Sequence, residues 1–222
     1  MTGLPQPLFG RTLRTAAVAA LAFAGLCGTA PAEDAGFSLS GPAKPAMVLF
    51  GPHNDGGWSQ AFNEALVKTE KALSLKIPYV EGVPEDAAAI RPAVDKLIQR
   101  GYNIIIGTAF GYSDTFKDLA AKYPKVAFLN GSGTTNGPNL QAFYGRNYET
   151  HYLCGMVAGA MTNTNKLGYV AAHPFGVVNW TINAFQMGAA RMNPKVTTTV
   201  VVTGAWNDPV KERAATMALI DQ

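Results

Sequence analysis

Three short segments of the sequence place aromatic and acidic side chains among glycines. The first segment, 52–59 (PHNDGGWS), carries Asn54, Asp55, Trp58 and Ser59. An aspartate accepts hydrogen bonds, an indole offers a flat face for stacking, and glycines let the backbone approach a ligand closely. We therefore predict that these four residues bind a small molecule. The alternative, which the local pattern supports equally, is a helix-capping loop with Asp55 on backbone amides and Trp58 in the core.

The second segment, 107–114 (GTAFGYSD), has the same character. Its two aromatic residues, Phe110 and Tyr112, are predicted to face a ligand because they follow a buried strand directly. Asp114 is a further candidate for ligand binding, although an aspartate at this place more often caps the helix that follows.

The third segment, 204–209 (GAWNDP), repeats the order of glycine, aromatic residue and acid. We predict that Trp206 faces Trp58 across a cleft. Stacking of a base on an aromatic side chain contributes about 1–3 kcal/mol, so two such rings would dominate the affinity. Asp208 is a candidate ligand-binding residue, and Pro209 in the first helical turn also makes it a candidate N-cap.

Each of these segments follows a predicted strand. Short apolar runs alternate with helically spaced apolar residues, which predicts a doubly wound α/β fold with parallel strands. Ligands of such folds bind beyond the carboxyl ends of the strands, where the three segments lie. The predicted strands are 46–51, 77–80, 103–107, 126–130, 141–144, 167–171 and 195–203, and the predicted helices are 59–73, 86–100, 114–122, 149–161, 177–192 and 209–221.

The pattern divides the fold into two lobes. Residues 46–147 form a predicted N-terminal α/β lobe, and residues 148–222 form a second α/β lobe with a cleft between the two. Small residues in the helix 149–161 are expected to let it pack closely on a neighbour. The second lobe has two predicted strands under three helices, which is a poor core on its own. We therefore expect the second lobe to be incomplete and the chain to be truncated at its C-terminus.

The N-terminal residues read as an export signal. Residues 1–32 are a predicted signal peptide with an apolar run at 16–27 and small residues before the cleavage point. This indicates a periplasmic protein. A lipid anchor at Cys27 is the less favoured alternative, because the bulky Leu26 precedes it. Residues 33–45 are small, polar and proline-containing, and we predict a flexible segment that leads into the fold.

Composition excludes several classes of protein. With 48% hydrophobic and 15% charged residues, the chain is neither disordered nor fibrous. The formal net charge of +3 falls further when Arg11 and Arg14 leave with the signal peptide, so no binding to nucleic acid is expected. The three histidines are scattered and lack neighbouring acids or cysteines at ligand spacing, so neither a metal nor a cofactor is expected. Cys154, the remaining cysteine after cleavage, cannot form an internal disulfide.

Four motifs, in order, closely resemble the BMP family, the basic-membrane-protein or PnrA-like substrate-binding proteins of ABC transporters. The resemblance runs from about Ala46 to Gln222. The motifs are 54–60 (NDGGWSQ), 105–112 (IIGTAFGY), 168–172 (GYVAA) and 203–209 (TGAWNDP).

The resemblance implies a type I periplasmic-binding-protein fold whose lobes close on a purine nucleoside or related base and then dock on an ABC permease. Trp58 and Trp206 match the two aromatic residues that sandwich the base, and Asp55, Ser59, Phe110 and Asp114 match neighbouring polar and loop positions. The nucleoside-binding branch typically has Phe within Ser-Phe-Asn where this chain has GWS at 57–59, which leaves free bases and other flat heterocycles as candidate ligands.

Two other functions are weighed against transport. A periplasmic α/β hydrolytic enzyme acting on nucleosides would use Asp55 or Asp114, but it usually needs a metal cluster or a nucleophile–base pair, and the sequence shows neither pattern. A sensory receptor that passes its ligand state to a membrane partner would have the same sequence features. The first prediction is therefore a binding protein that makes and breaks no bond.

Overall fold

The computed structural model describes residues 36–222, and the elements discussed below belong to a unit that runs from Leu39 to Gln222. The predicted signal peptide, 1–32, and Cys27 lie outside the described residues. Among residues 36–222, no helix is both long enough and apolar enough to cross a membrane.

The larger sheet has five parallel strands in the order β2-β1-β3-β4-β5. In β1 and β3, side chains of both faces are apolar, as expected for strands covered by helices on both sides. We call this sheet and its helices, residues 45–146, the first lobe. Its strands are β1 (Pro45–Val48), β2 (Tyr79–Val80), β3 (Ile104–Gly107), β4 (Ala127–Gly131) and β5 (Leu140–Phe143).

Three helices cover the two faces of this sheet. Helix α1 (Trp58–Leu73) packs on one face, where Leu66 joins a core cluster with Met47 and Leu49. Helices α2 (Ala87–Gln99) and α3 (Ser113–Lys122) pack on the other face, with the larger core cluster. Successive residues of β1 thus enter opposite cores, which is the two-residue period of a strand.

The second lobe, residues 147–222, holds a sheet of two parallel strands. The order of its elements repeats the alternation of the first lobe. The elements are α4 (Asn147–Met161), β6 (Lys166–Ala171), α5 (Gly176–Met192), β7 (Thr197–Val202) and α6 (Pro209–Ile220).

Helices α4 and α5 approach each other closely because glycines stand at the contact. A methyl group on Gly155 would lie 2.0 Å from the backbone oxygen of Phe185, and one on Gly188 would lie 2.0 Å from that of Tyr152. Both distances are far inside van der Waals contact, so any larger residue would force the helices apart. The prediction that small residues let α4 pack closely on a neighbour is confirmed.

The segment that precedes β1 is tied to the first lobe by Asn103. Its side-chain oxygen accepts a hydrogen bond from the Lys44 backbone at 2.8 Å, and its amide nitrogen donates to the Pro42 carbonyl at 3.0 Å. The Ser40 backbone N–H also bonds to the Lys125 carbonyl at 3.0 Å. These bonds hold the end of the segment predicted as flexible, 33–45, against the first lobe. They form because Asn103 is buried, and its side-chain amide must find hydrogen-bond partners within the protein.

Candidate functional site

The strand order of the larger sheet reverses between β1 and β3, so their carboxyl ends open a crevice. A cavity of about 450 Å³ lies at this point, within the range of about 300–1,000 Å³ that is usual for small-molecule sites. The first lobe lines it chiefly with the segment after β1, including Phe50 and 55–58, and the segment after β3, 108–110. Helices α4 and α5 and the loop after β7 line it from the second lobe.

Trp58 is anchored by its indole nitrogen rather than by complete burial. Its Nε1–H donates to the Thr108 carbonyl oxygen at 2.6 Å, which joins the segments after β1 and β3. The ring centroid lies 5.2 Å from that of Phe62 and 6.4 Å from that of Tyr144. The side chain stays 38% exposed and lines the cavity, so a ring held in one orientation presents surface to a ligand.

Trp206 lines the same cavity from the second lobe, in the loop after β7. Its Nε1–H donates to Glu85 Oε2 at 2.8 Å, while Glu85 Oε1 accepts the Gly111 backbone N–H at 2.7 Å. Glu85 therefore connects the two lobes through one carboxylate. Within residues 36–222, the rings of Trp58 and Trp206 border one cavity without forming an aromatic pair with each other.

A column of aromatic rings also crosses between the lobes. Phe110 of the first lobe stacks on Phe175 of the second, with centroids 4.6 Å apart and planes at 11°. Phe175 in turn stacks on His173 at 5.1 Å, and the rings of His173 and Trp206 form a T-shaped pair with centroids 4.8 Å apart. One face of Phe110 is thus occupied by protein, which leaves it less free for a ligand than the sequence suggested.

The Asp55 carboxylate caps the beginning of α1. Its Oδ1 accepts the backbone N–H groups of Gly57 at 2.9 Å and Gln60 at 3.0 Å, and its Oδ2 accepts that of Ser59 at 2.9 Å. Partial burial raises the pKa of Asp55, but these backbone hydrogen bonds outweigh it, and the pKa lies below its ordinary value. The residue borders the cavity, yet its oxygens are committed to the helix terminus.

Two predicted ligand-binding residues are buried. Tyr112 has no exposed surface, because it lies in a short 3₁₀ turn at Phe110–Tyr112 and its hydroxyl donates to the Val83 carbonyl at 2.6 Å. Burial raises the pKa of this hydroxyl. Ser59 also has no exposed surface, and its hydroxyl accepts the Gly51 backbone N–H at 3.0 Å. The prediction that these side chains face a ligand is corrected by their roles in the core.

Three further predicted residues lie outside the cavity lining. Asn54 is exposed, and Asp114 is exposed in the first turn of α3, where a negative charge favours the helix. Asp208 caps α6, accepting the Lys211 backbone N–H at 3.0 Å, and this bond with the Lys211 charge lowers its pKa. For Asp208, the helix-capping role that competed with ligand binding is the one the structure shows. Asp114 lies within the first turn of α3 and is not its N-cap.

The structure adds cavity residues that the sequence reasoning missed. Glu85 comes from the loop after β2, and Tyr144, Asn147 and His151 follow β5 and begin α4. The spacing of Asn147 and His151, one helical turn apart in a largely apolar helix, was a signal that could have found them. In the part of the chain that the structure describes, no group of histidine, cysteine and acidic residues is arranged to hold a metal ion.

The doubly wound sheet and the second β/α lobe define the type I periplasmic-binding-protein fold, with the aromatic cavity at the strand ends. The model of the family "ABC transporter substrate-binding protein PnrA-like" matches residues 43–222, and the chain belongs to this family. The predicted resemblance is confirmed. The family consists of binding proteins, not enzymes.

Named relatives agree with this assignment. The chain is 34% identical over 196 residues to a purine-binding protein of Brucella abortus, covering 85% of this chain and 56% of that protein. It is 36% identical over 179 residues to a putative ABC transporter glucose-binding protein of Haloferax volcanii, covering 80% and 45% respectively. The chain therefore spans about half the length of these curated relatives.

A solved structure shows the shared fold. An ABC transporter solute-binding protein from Aeropyrum pernix superposes with a TM-score of 0.70 at 17% identity, covering 82% of this chain and 53% of that one.

Proposed function

We propose that this protein captures a purine base or nucleoside in the cavity between its lobes and delivers it to an ABC permease. Capture takes place in the periplasm, outside the cytoplasmic membrane. The observation that carries the proposal is the pair of indoles, Trp58 and Trp206, which border one cavity from different lobes. Each indole nitrogen is tied to protein, so a flat ligand would contact these rings through the surface that they present to the cavity.

The cavity also provides the polar groups that a purine requires. Aromatic walls supply stacking, and a few placed polar side chains fix orientation, as is usual for small-molecule sites. Asn147 and His151 lie on its second-lobe side. The relative named as purine-binding supports the same ligand class. The relative named as glucose-binding makes a sugar the second candidate, which the experiment below includes.

Titration calorimetry of the purified protein with adenine, adenosine and glucose tests the proposal. We expect saturable binding of adenine or adenosine and none of glucose. The Trp58→Ala variant should lose about 5- to 150-fold in purine affinity, because one stacked aromatic face contributes about 1–3 kcal/mol. Binding of glucose alone, or of none of the three ligands, would overturn the proposed ligand class.

Trp180→Ala is the matched control. Trp180 is 52% exposed on α5 and lies outside the cavity lining, so this variant should keep wild-type purine affinity. Trp58→Ala also loses the bond to Thr108 and packing on Phe62, so titrations are run well below both melting temperatures. Chromatography of the same mixtures should recover adenosine unchanged. Release of adenine by the protein would instead indicate the hydrolytic enzyme.

A further inference from the structure

The second-lobe side of the cavity carries a polar edge at the beginning of α4. Asn147 and His151 stand one helical turn apart on the same face of the helix, and both line the cavity. Tyr144, just before them, also lines the cavity, and its ring lies 6.4 Å from that of Trp58. A flat ligand that stacks on Trp58 would therefore lie beside Tyr144, in the same cavity as Asn147 and His151.

The hydroxyls of Tyr169 and Thr181 lie behind His151 and form a chain of hydrogen bonds with its Nδ1. Thr181 Oγ1 donates its single hydrogen to the Val178 carbonyl at 2.7 Å, so it can only accept from Tyr169. The Tyr169 hydroxyl lies 3.3 Å from Thr181 Oγ1 and donates its own single hydrogen there. When the Tyr169 hydroxyl donates to Thr181, its oxygen accepts a hydrogen bond from His151 Nδ1, which is 2.9 Å away. With the chain of bonds in this direction, the neutral imidazole carries its proton on Nδ1 and leaves Nε2 unprotonated.

Nε2 lies on the opposite side of the ring from this chain and has no hydrogen-bond partner among residues 36–222. Burial lowers the pKa of His151 below its ordinary value of 6.5, so the ring is neutral at pH 7. An unprotonated Nε2 at a cavity wall is a hydrogen-bond acceptor with free capacity.

The charged and titratable groups around His151 leave this acceptor unopposed. On α4, Glu149 pairs with Arg146 at 3.2 Å, and Cys154 is exposed and unpaired in the described structure. Tyr169 of β6 faces Nδ1. Across the cavity, Asp55 accepts backbone N–H groups and Glu85 accepts those of Gly111 and the Trp206 indole, as described above.

We propose that His151 is a specificity-determining residue whose Nε2 accepts a hydrogen bond from an N–H or O–H group of the bound heterocycle. The inference rests on the proposed function and deepens it, because it selects ligands that present a donor at this edge. The donor is either an amino group of the base or a ribose hydroxyl. Tyr169 acts through His151 as a positioning residue.

Two ligand pairs distinguish the two sources of the donor. The first pair is adenosine and purine riboside, which lacks the amino group. The second pair is adenosine and 2′,3′-dideoxyadenosine, which lacks the two ribose hydroxyls. For wild-type protein, calorimetry should show roughly two- to tenfold weaker binding of the deficient partner in one pair, the difference expected for one neutral hydrogen bond. In His151→Phe, that difference should disappear while the deficient ligand still binds, which also shows that the variant is folded.

Discrimination that persists unchanged in His151→Phe would overturn the inference while leaving the proposed function standing. Failure of the wild type to bind any purine would overturn the proposed function itself. Tyr169→Phe keeps His151 but removes the oxygen that holds Nδ1–H. In Tyr169→Phe, the ratio of the affinities for the same two ligands should be smaller than in the wild type, while the affinity for the deficient ligand stays unchanged.

The pH profile gives an independent readout. Wild-type affinity for adenosine should be constant above pH 6.5 and fall at lower pH, because protonation of Nε2 turns the acceptor into a donor. The adenosine affinity of His151→Phe should show no such fall. The opposite tautomer, with Nε2 as the donor, would make wild-type affinity insensitive to this protonation, and that result would also overturn the inference.

Discussion

Replacing Asp55 with alanine should destabilise the protein through α1 rather than through a lost ligand contact. The carboxylate accepts three backbone N–H groups at the start of that helix, at 2.9–3.0 Å. Loss of one capping side chain typically costs about 0.5–2 kcal/mol, and the number of bonds here points to the upper half of that range. For a chain of this size, the melting temperature should fall by roughly 2–8 °C.

The assay is thermal and urea unfolding followed by circular dichroism. Asp118→Ala is the control, because Asp118 is an exposed carboxylate that pairs with Arg91 and caps no helix. Exposed ion pairs contribute about 0–1 kcal/mol, so this variant should melt close to the wild type. Equal losses for both variants would show that a missing surface charge, and not the cap, is responsible.

The pH dependence of the Asp55 effect has a defined sign. The pKa of Asp55 is lower in the folded protein than its ordinary value of 3.8. The stability that the carboxylate contributes is therefore fully present above that value and is lost as the pH falls through the folded pKa. The difference in stability between wild type and Asp55→Ala should be constant near neutrality and shrink in acid.

Ligand binding separates the two interpretations of Asp55. Below its melting temperature, Asp55→Ala should retain purine affinity within a few-fold, because its oxygens are occupied by the backbone. Abolished binding in a variant with unchanged stability would refute the reasoning and place the carboxylate on the ligand.

Three further substitutions test the packing around the site. Gly155→Ala should destabilise the protein by about 1–3 kcal/mol in urea unfolding, because the added methyl group meets the α5 backbone. Gly176 has open space around it, so Gly176→Ala should not destabilise the protein, and equal effects of the two substitutions would contradict this packing. Tyr112→Phe should lower the free energy of unfolding by about 1–3 kcal/mol, because it leaves the buried Val83 carbonyl unpaired, and it should leave purine affinity unchanged. Lost affinity in calorimetry of a stable variant would show that Tyr112 binds the ligand after all. Phe175→Ala removes the stack of Phe175 on Phe110 between the lobes, a contact that contributes about 0.5–1.5 kcal/mol. Small-angle scattering of the unliganded variant should therefore show a larger radius of gyration than the wild type. Unchanged scattering would contradict a role of this stack in holding the lobes together.

The elements of the fold were predictable because their signals are local and repetitive. The thirteen predicted strands and helices all appear, with ends shifted by a few residues, as with β1, predicted at 46–51 and observed at Pro45–Val48. The short 3₁₀ turn at Phe110–Tyr112 was not predicted. Because of it, Tyr112 turns into the core instead of the cleft, which no two-residue or helical period reveals.

The candidate site was predictable only where residues follow strand ends. Trp58 and Trp206 were found because the segments after β1 and β7 carry a glycine-rich aromatic pattern, and both rings border the cavity. Glu85 and His151 were missed because their roles depend on distant partners, Trp206 for the first and Tyr169 for the second. A sequence also cannot distinguish a carboxylate that caps a helix from one that binds a ligand, as Asp55 shows.

A crystal structure of the protein with adenosine tests the central claim most directly. We expect the base to lie in the cavity against the Trp58 indole, with an N–H or O–H group within about 3 Å of His151 Nε2. Ordered adenosine bound elsewhere on the molecule, with the face of Trp58 covered by protein atoms, would contradict the account.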